Sequence, residues 1–561
     1  MKNTILYSIY LLLVSSLCYS QIPQDYPFKV IINETGNVFI TGEISGDIFT
    51  SKYNSSLIPI WNNVYSNPGI DRGMDITVDS YSFVYVTGYI SNQTTGKKNI
   101  FTIKYDNSSF GDTIWTKSFG DINFDDQAFG VTRDAFGDIY ITGYITNKNS
   151  KKNIKILKYA WDNGNLIWQA TYDNPQYYGD DIGTSILTDD NFVYVLGTTY
   201  NGPLYNGDII QLTYNANTPY LEDSLTYQRK GIETPTSFVI SQLSRSVTSK
   251  SRTSLTSMTD NQTNPSNKDF LILTFKGSEF IWGKKFSGPG NLDDVPTSCA
   301  VSDSGLFITG YSYSKPSNSD FATIKYKLYE NGNYGWTDTA IRYFDYNGGK
   351  DKGSSVKIYS PDNSIYISGT SEHASNGFIL RKYYQINGGG SIITRWERVH
   401  IPENIKQLQY QNMKRASVIE IDSLGFIYQI NYMWDDTYNY YEIVKYDSDG
   451  NELFSVDNIE VHLERDNIEK NEKMSINDLM NYPNPFNPST VISYKLSNEG
   501  FVSLKVFDMM GREIKNLVNE KQLSGSYNVN FDAANLTSGV YFYKLILNGI
   551  AQVTKQMFLI K

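Results

Sequence analysis

Three histidines, His373, His400 and His462, are the only imidazoles in the chain. Imidazole is the usual general base and a frequent metal ligand. His373 lies in a Ser-Glu-His-Ala turn, His400 in a long segment between strands, and His462 in a charged stretch. That scatter builds no shared metal site, and each reads as a surface or loop histidine. Neither a Gly-x-Ser-x-Gly elbow nor a His-Glu-x-x-His pair occurs. Acids are the remaining candidates. Asp125-Asp126, Asp180-Asp181 and Asp293-Asp294 recur as pairs, with Asp71 and Asp351 at comparable places. Recurrence in phase puts these carboxylates on one face of a repeat array. There they could line a channel, as an enzyme acting on polysaccharide needs, or ligate calcium. The simpler expectation is that they accept hydrogen bonds from turn backbone. No catalytic, cofactor-binding or metal-ligating residue is therefore assigned, and chelation is expected to leave the melting temperature unchanged.

The elements carrying these acids repeat. Gly137-Asp138-Ile139-Tyr140-Ile141-Thr142-Gly143 has counterparts ending at Gly42, Gly88, Gly197, Gly310 and Gly369, with weaker ones at 253–258 and 425–430. A second element follows and ends in an aromatic, as at Tyr105, Tyr159, Tyr214, Phe275, Tyr326, Tyr383 and Tyr446. A third carries Trp61, Trp115, Trp168, Trp282, Trp336 or Trp396. A fourth runs from an acidic turn into an apolar strand, as at 126–134 and 181–189. Apolar and polar residues alternate with period two, the mark of strands, and the glycine closing the first element is expected to permit a sharp turn. Four short strands about every fifty residues make a β-propeller blade. Eight copies span residues 28–455; the alternative is seven blades with the degenerate copy at 236–258 extruded. The repeats resemble the bacterial seven-bladed propeller repeat family, a resemblance that transfers no catalytic residue.

Composition agrees with an all-β chain: 45 tyrosines and 42 glycines stand against few helical runs. A net charge of −10 argues against a nucleic-acid partner. The nearest basic cluster, Arg245, Lys250 and Arg252, reads as a solvated strand face. Residues 1–20 read as a signal peptide cleaved between Ser20 and Gln21, with Lys2 before an apolar stretch too short to span a bilayer; lipid attachment at Cys18 is the rival reading. Once Cys18 leaves, Cys299 is the only cysteine, and it is expected to be a small buried residue. A membrane barrel fits poorly, since spanning strands need about nine to eleven residues.

Residues 456–477 are charged, lack glycine and break the repeat, as a linker does; they could include a short helix. Next come Tyr482, Pro483, Asn484, Pro485, Phe486, Asn487 and Pro488. Three prolines here forbid a helix, leaving Tyr482 and Phe486 as apolar anchors. Strand patterns follow at 490–496, 501–508, 513–518, 527–531, 540–547 and 551–560, the last two joined at Asn548-Gly549. They suggest a small β-sandwich at 478–561. The stretch resembles the type A C-terminal sorting domain of the type IX secretion system. The resemblance rests on 482–488, on Val506 through Gly511 to Glu513, on Gly525-Ser526-Tyr527, on Leu536-Thr537-Ser538-Gly539-Val540-Tyr541-Phe542, and on the ending Lys555 to Lys561, with Gln556 where a basic residue is common. It implies partners and a route: passage through the periplasm, recognition by the secretion machinery, and removal of the domain by a sortase-like peptidase that can join the new end to surface polysaccharide. The expected product is a secreted or cell-surface propeller.

Overall fold

The computed structural model describes residues 28–457, 461–462 and 479–561, apart from 45, 109, 203–205, 229–232, 242–249, 261–266, 278, 291, 303–304, 316–317, 329–335, 347, 373–376, 386–391, 403–413, 435–437, 497–499, 509–512 and 548–549. Every regular element among them is a β-strand. Eight consecutive groups of four strands, at 28–65, 72–119, 127–172, 182–227, 234–286, 294–344, 351–400 and 414–457, each form an antiparallel sheet in chain order. These are propeller blades, numbered 1 to 8 here. The degenerate copy forms blade 5, a complete sheet. Val461–His462, within the span read as a linker, adds a short strand paired with Tyr438 and Asn439.

The chain divides into two compact units, blades 3 to 8 in one and blades 1 and 2 with the C-terminal strands in the other. Inside each unit the sheets stack. In blade 6, Leu306 and Ile308 point toward blade 5 while Phe307 points toward blade 7, so one strand feeds two cores. Fourth strands lie outermost and are the most exposed, as in Leu166–Tyr172. Trp61, Trp115 and Trp168 nonetheless bury their rings there.

The glycine of the Thr-Gly pair does not turn the chain. Gly143 lies within the strand Ile139–Thr146, opposite a bulge in the first strand. A Cβ on Gly143 would stand 1.9 Å from the Gln127 carbonyl oxygen. The bulge thrusts that carbonyl into the space a side chain needs, and Gly88, Gly197, Gly310 and Gly369 face the same obstruction. The preceding threonine lets neighbouring blades approach closely. Thr142 donates its hydroxyl to the Lys155 carbonyl at 3.2 Å, and its oxygen would lie 2.4 Å from a Cβ on Gly183 of blade 4.

A second lock uses the tyrosine of the repeat. Tyr140 donates to Asp134 at 2.9 Å, while Asp134 also receives the amides of Phe136 and Asp138 in its turn. Lys158 lies 3.4 Å from Asp134 and 3.1 Å from Asp138. Lys158 and Trp168 then both donate to the Ala216 carbonyl in the last turn of blade 4. Lys382 and Trp396 of blade 7 treat Ser448 of blade 8 in the same way.

Candidate functional site

The C-terminal strands form two antiparallel sheets. One contains Met480–Tyr482, Ser489–Leu496 and Gly525–Asp532; the other orders Glu513–Gln522, Gly500–Phe507, Gly539–Leu547 and Ile550–Leu559. Alternate residues of both sheets, among them Ile492, Tyr494, Leu504, Val506, Tyr543 and Leu545, share one core. The proline-rich segment crosses to the last strand. Phe486 enters the core at 2% exposure. Its amide donates to Phe558 at 2.9 Å and its carbonyl accepts from Ile560 at 3.0 Å. Asn484 accepts from the Phe558 amide and donates to the Gln556 carbonyl. Pro488 accepts from the Ala533 amide. Prolines suit this path because, lacking amide protons, they leave no backbone donor that needs a partner.

The two ends of the sorting motif thus meet, although some seventy residues separate them in sequence. Lys561 caps the arrangement, its backbone amide donating to Ser538 at 3.0 Å and its ammonium to the Ala534 carbonyl at 2.5 Å. Tyr541 donates to the Thr537 carbonyl at 2.8 Å. Lys555 is half-buried and pairs in register with Tyr543. Tyr482 is not an anchor: its ring is 80% exposed. The strand Met480–Tyr482 instead turns half-buried Asn481 inward, where it links Thr490, the Pro483 carbonyl and the Tyr543 hydroxyl. Gly539 is exposed, and an added Cβ would meet nothing within 4 Å. Sequence reasoning missed Asn481, which stands one residue before the matched segment 482–488; Ser538 lies inside a matched segment, but nothing in the sequence pairs it with Lys561. Asn487 is exposed, while Ser20, Gln21, Gly511 and the Asn548-Gly549 turn lie outside the described residues.

In the propeller, the recurring acids are buried and engaged. Asp71 accepts from the Ser91 amide, Asp126 from Thr146, and Asp181 from the Thr199 hydroxyl and the Asn174 amide. Asp294 and Asp351 accept from the amides of Gly288 and Tyr346, each at 2.5 Å. The first members lie nearer the surface, and two of them reach backward: Asp180 accepts from Lys152 of blade 3 and Asp293 from Lys268 of blade 5. Glu233 occupies the corresponding place in blade 5, where it accepts from Thr259; a longer acid hid the repeat there. Burial pushes Asp71, Asp294 and Asp351 up to about 6 against their hydrogen bonds. Among the described residues, no group of three or more His, Cys, Asp or Glu is placed to hold a metal ion.

The basic cluster is not a solvated face. Arg252 is 5% exposed within its strand and Lys250 pairs with Asp223, while Arg245 lies outside the described residues. Cys299 is buried and reduced, its amide bonded to Ser237. His400 ends the last strand of blade 7 and is not a loop residue. Its Nε2 lies 2.8 Å from Glu442, and its Nδ1 lies 3.5 Å from Glu452. Glu442 continues through Asn431 to Ser417 and Gln429, a polar chain inside blade 8. Burial alone would lower the imidazole pKa, but Glu442, with Glu452 behind it, outweighs burial and raises it. His373 lies outside the described residues.

Comparison with known proteins bears chiefly on the tail. No curated protein matches the chain. Solved structures similar in outline include a periplasmic gluconolactonase from Pseudomonas aeruginosa, at 12% identity and a TM-score of 0.36, covering 67% of this chain and 99% of that one. A polysaccharide lyase has 8% identity and a TM-score of 0.37, over 63% and 88% of the two chains. Extracellular domains 1–2 of Drosophila Semaphorin 1b have 8% identity and a TM-score of 0.36, over 64% and 84%. Likeness at this level carries no argument, and the blades rest on their own strand order. Residues 480–561, by contrast, match the family described as the secretion system C-terminal sorting domain. The Phe486 to Lys561 constellation is therefore that of a type IX secretion sorting domain, which marks this chain for passage through the periplasm to the cell surface or the medium.

Proposed function

We propose that the chain is an extracellular binding, adhesion or structural propeller, directed at a protein or glycan ligand and delivered by its sorting domain. Four parts serve this: a signal peptide at 1–20, a propeller at 21–455, a connecting segment at 456–477 and a sorting β-sandwich at 478–561. A sortase-like peptidase would cut the connecting segment, either releasing the propeller or joining it to surface polysaccharide. The observation that carries the binding reading is the use made of the repeated acids. Asp126 and Asp181 are buried against backbone amides and a threonine hydroxyl, so they brace the entry to their own blades, and their carboxylates are turned to that use.

Deleting the chain from Asn481 onward should strand the protein in the periplasm, and normal amounts outside the cell would refute the delivery half. Mass spectrometry of surface and medium fractions should find a new C-terminus within 456–480. For the propeller half, purified protein should bind on a glycan or protein array without turnover. Polysaccharide cleavage that vanished in a folded Asp126→Asn, Asp181→Asn variant would establish an enzyme instead.

A further inference from the structure

The outer face of a two-sheet module ordinarily faces water, and its alternate residues are polar and wet. The second sheet of the sorting domain departs from this. On Gly539–Leu547, Tyr541, Tyr543 and Leu545 fill the core, so Lys544 projects the other way. Lys544 is nevertheless only 7% exposed, and Ser503 on the neighbouring strand only 8%. A lysine is rarely so covered unless something lies across it.

The cover is the last turn of blade 2. The Phe110 ring lies 4.9 Å from Phe542, centroid to centroid, at 50°. Asp112, two residues on, is the acid that acts on Lys544. This turn is built firmly before anything docks on it. Asp106 accepts from the amides of Ser108 and Asp112, and its own amide donates to the Asp112 carbonyl at 2.9 Å. Asn63 of blade 1 donates to the carbonyls of Phe110 and Gly111. Gly111, at φ +63°, lies under the Trp61 ring, where a Cβ would approach to 2.5 Å. Blades 1 and 2 must therefore be folded for Phe110 and Asp112 to be presented together. Aromatic pairs of this kind contribute about 0.5–1.5 kcal/mol beyond their buried area. Asp112 itself stays exposed, so its attraction to Lys544 is partly screened by water.

We infer that the outer face of the sorting domain's four-stranded sheet is a docking surface for the chain's own second blade, so that the domain is seated on the folded propeller. The seat leaves Tyr482 and Gly539 uncovered. It also separates covalent cutting from physical release: a domain whose connection is severed still has its seat to leave. Burial, with Lys505 beside it, lowers Lys544 to about 8 against the pull of Asp112; a lysine that gives up its proton more readily when covered favours the covered state as pH rises through that value, so the seat holds at alkaline pH. The inference is independent of what the propeller binds.

The test uses the full chain with a site-specific protease sequence placed at 463–478. After cutting, the two fragments should co-elute on gel filtration at pH 7 and low micromolar concentration. Phe110→Asp should raise the dissociation constant at least tenfold. Asp112→Lys should do likewise, and Asp112→Lys with Lys544→Asp should restore co-elution, an outcome misfolding of either partner would not give. Fragments that separate at once in the parent protein would overturn the inference, as would co-elution indifferent to Phe110→Asp and to the charge reversal.

Discussion

Replacing His400 with Gln tests whether the buried polar chain between blades 7 and 8 depends on a proton. Glutamine can donate one hydrogen bond to Glu442 but carries no charge. Glu442 is 2% exposed, so its charge is poorly compensated without the imidazolium, although Asn431 still donates to it at 3.1 Å. Hydrogen bonds to charged groups contribute about 1.5–3 kcal/mol, and the neutral replacement should retain part of that. A net loss of about 2 kcal/mol corresponds to roughly 30-fold in local opening. The sign with pH follows from the raised pKa. The stabilisation is fully present below the ordinary histidine value of about 6.5, and it fades as pH rises through the higher folded value. Amide hydrogen exchange reads this directly, since blades open locally. Corrected for intrinsic rates, protection in Ile392–His400 and Tyr438–Tyr446 should fall about 30-fold in the variant at pH 6. The gap should nearly close by pH 9. A gap absent at pH 6, or one growing with pH, would refute the reasoning.

Tyr140→Phe removes one donor to Asp134 and should cost about 1–2 kcal/mol, read as a lower thermal midpoint. Asp71, Asp294 and Asp351, raised to about 6 by burial, favour the folded state most when protonated. Their contribution is lost as pH rises from about 4 through 6, so Asp294→Asn should flatten that part of the stability profile measured by denaturant. Phe486→Ala should destabilise the sorting domain by about 3–5 kcal/mol and reduce export through misfolding. Tyr482→Ala and Gly539→Ala should leave its melting temperature unchanged, because one side chain is exposed and the other site is open; export assays on those two variants isolate recognition from folding.

The repeat and the strand count were legible because each blade alternates strongly and ends in recognisable turns. The C-terminal strands were placed to within a few residues for the same reason, though Glu513–Gln522 runs four residues past its expected end at 518. Blade 5 was the weak copy in sequence, yet Leu255, Phe270 and Ile272 are fully buried there; serine and threonine serve a strand whose hydroxyls find partners, as Thr236 and Thr256 do. What escaped were pairings between residues far apart in the chain. His400 reads as a loop histidine until Glu442, forty-two residues later, is laid beside it. Gly143 reads as a turn until the bulge across from it is seen. Tyr482 and Phe486 look alike in sequence, and only the crossing of the proline-rich segment over the last strand distinguishes the exposed ring from the buried one.

Four inter-blade joints run in one direction. Lys52 of blade 1 reaches the Asn107 carbonyl of blade 2, Lys158 and Trp168 of blade 3 reach Ala216 of blade 4, Gln211 of blade 4 reaches Gly277 of blade 5, and Lys382 of blade 7 reaches Ser448 of blade 8. In these four pairs a plug on the outer strands of one module enters a socket in the final hairpin of the next. A whole module can be copied or excised without inventing a new joint, because plug and socket travel together. Half a module cannot, and breakpoints placed inside a blade would leave one joint unmade on each side.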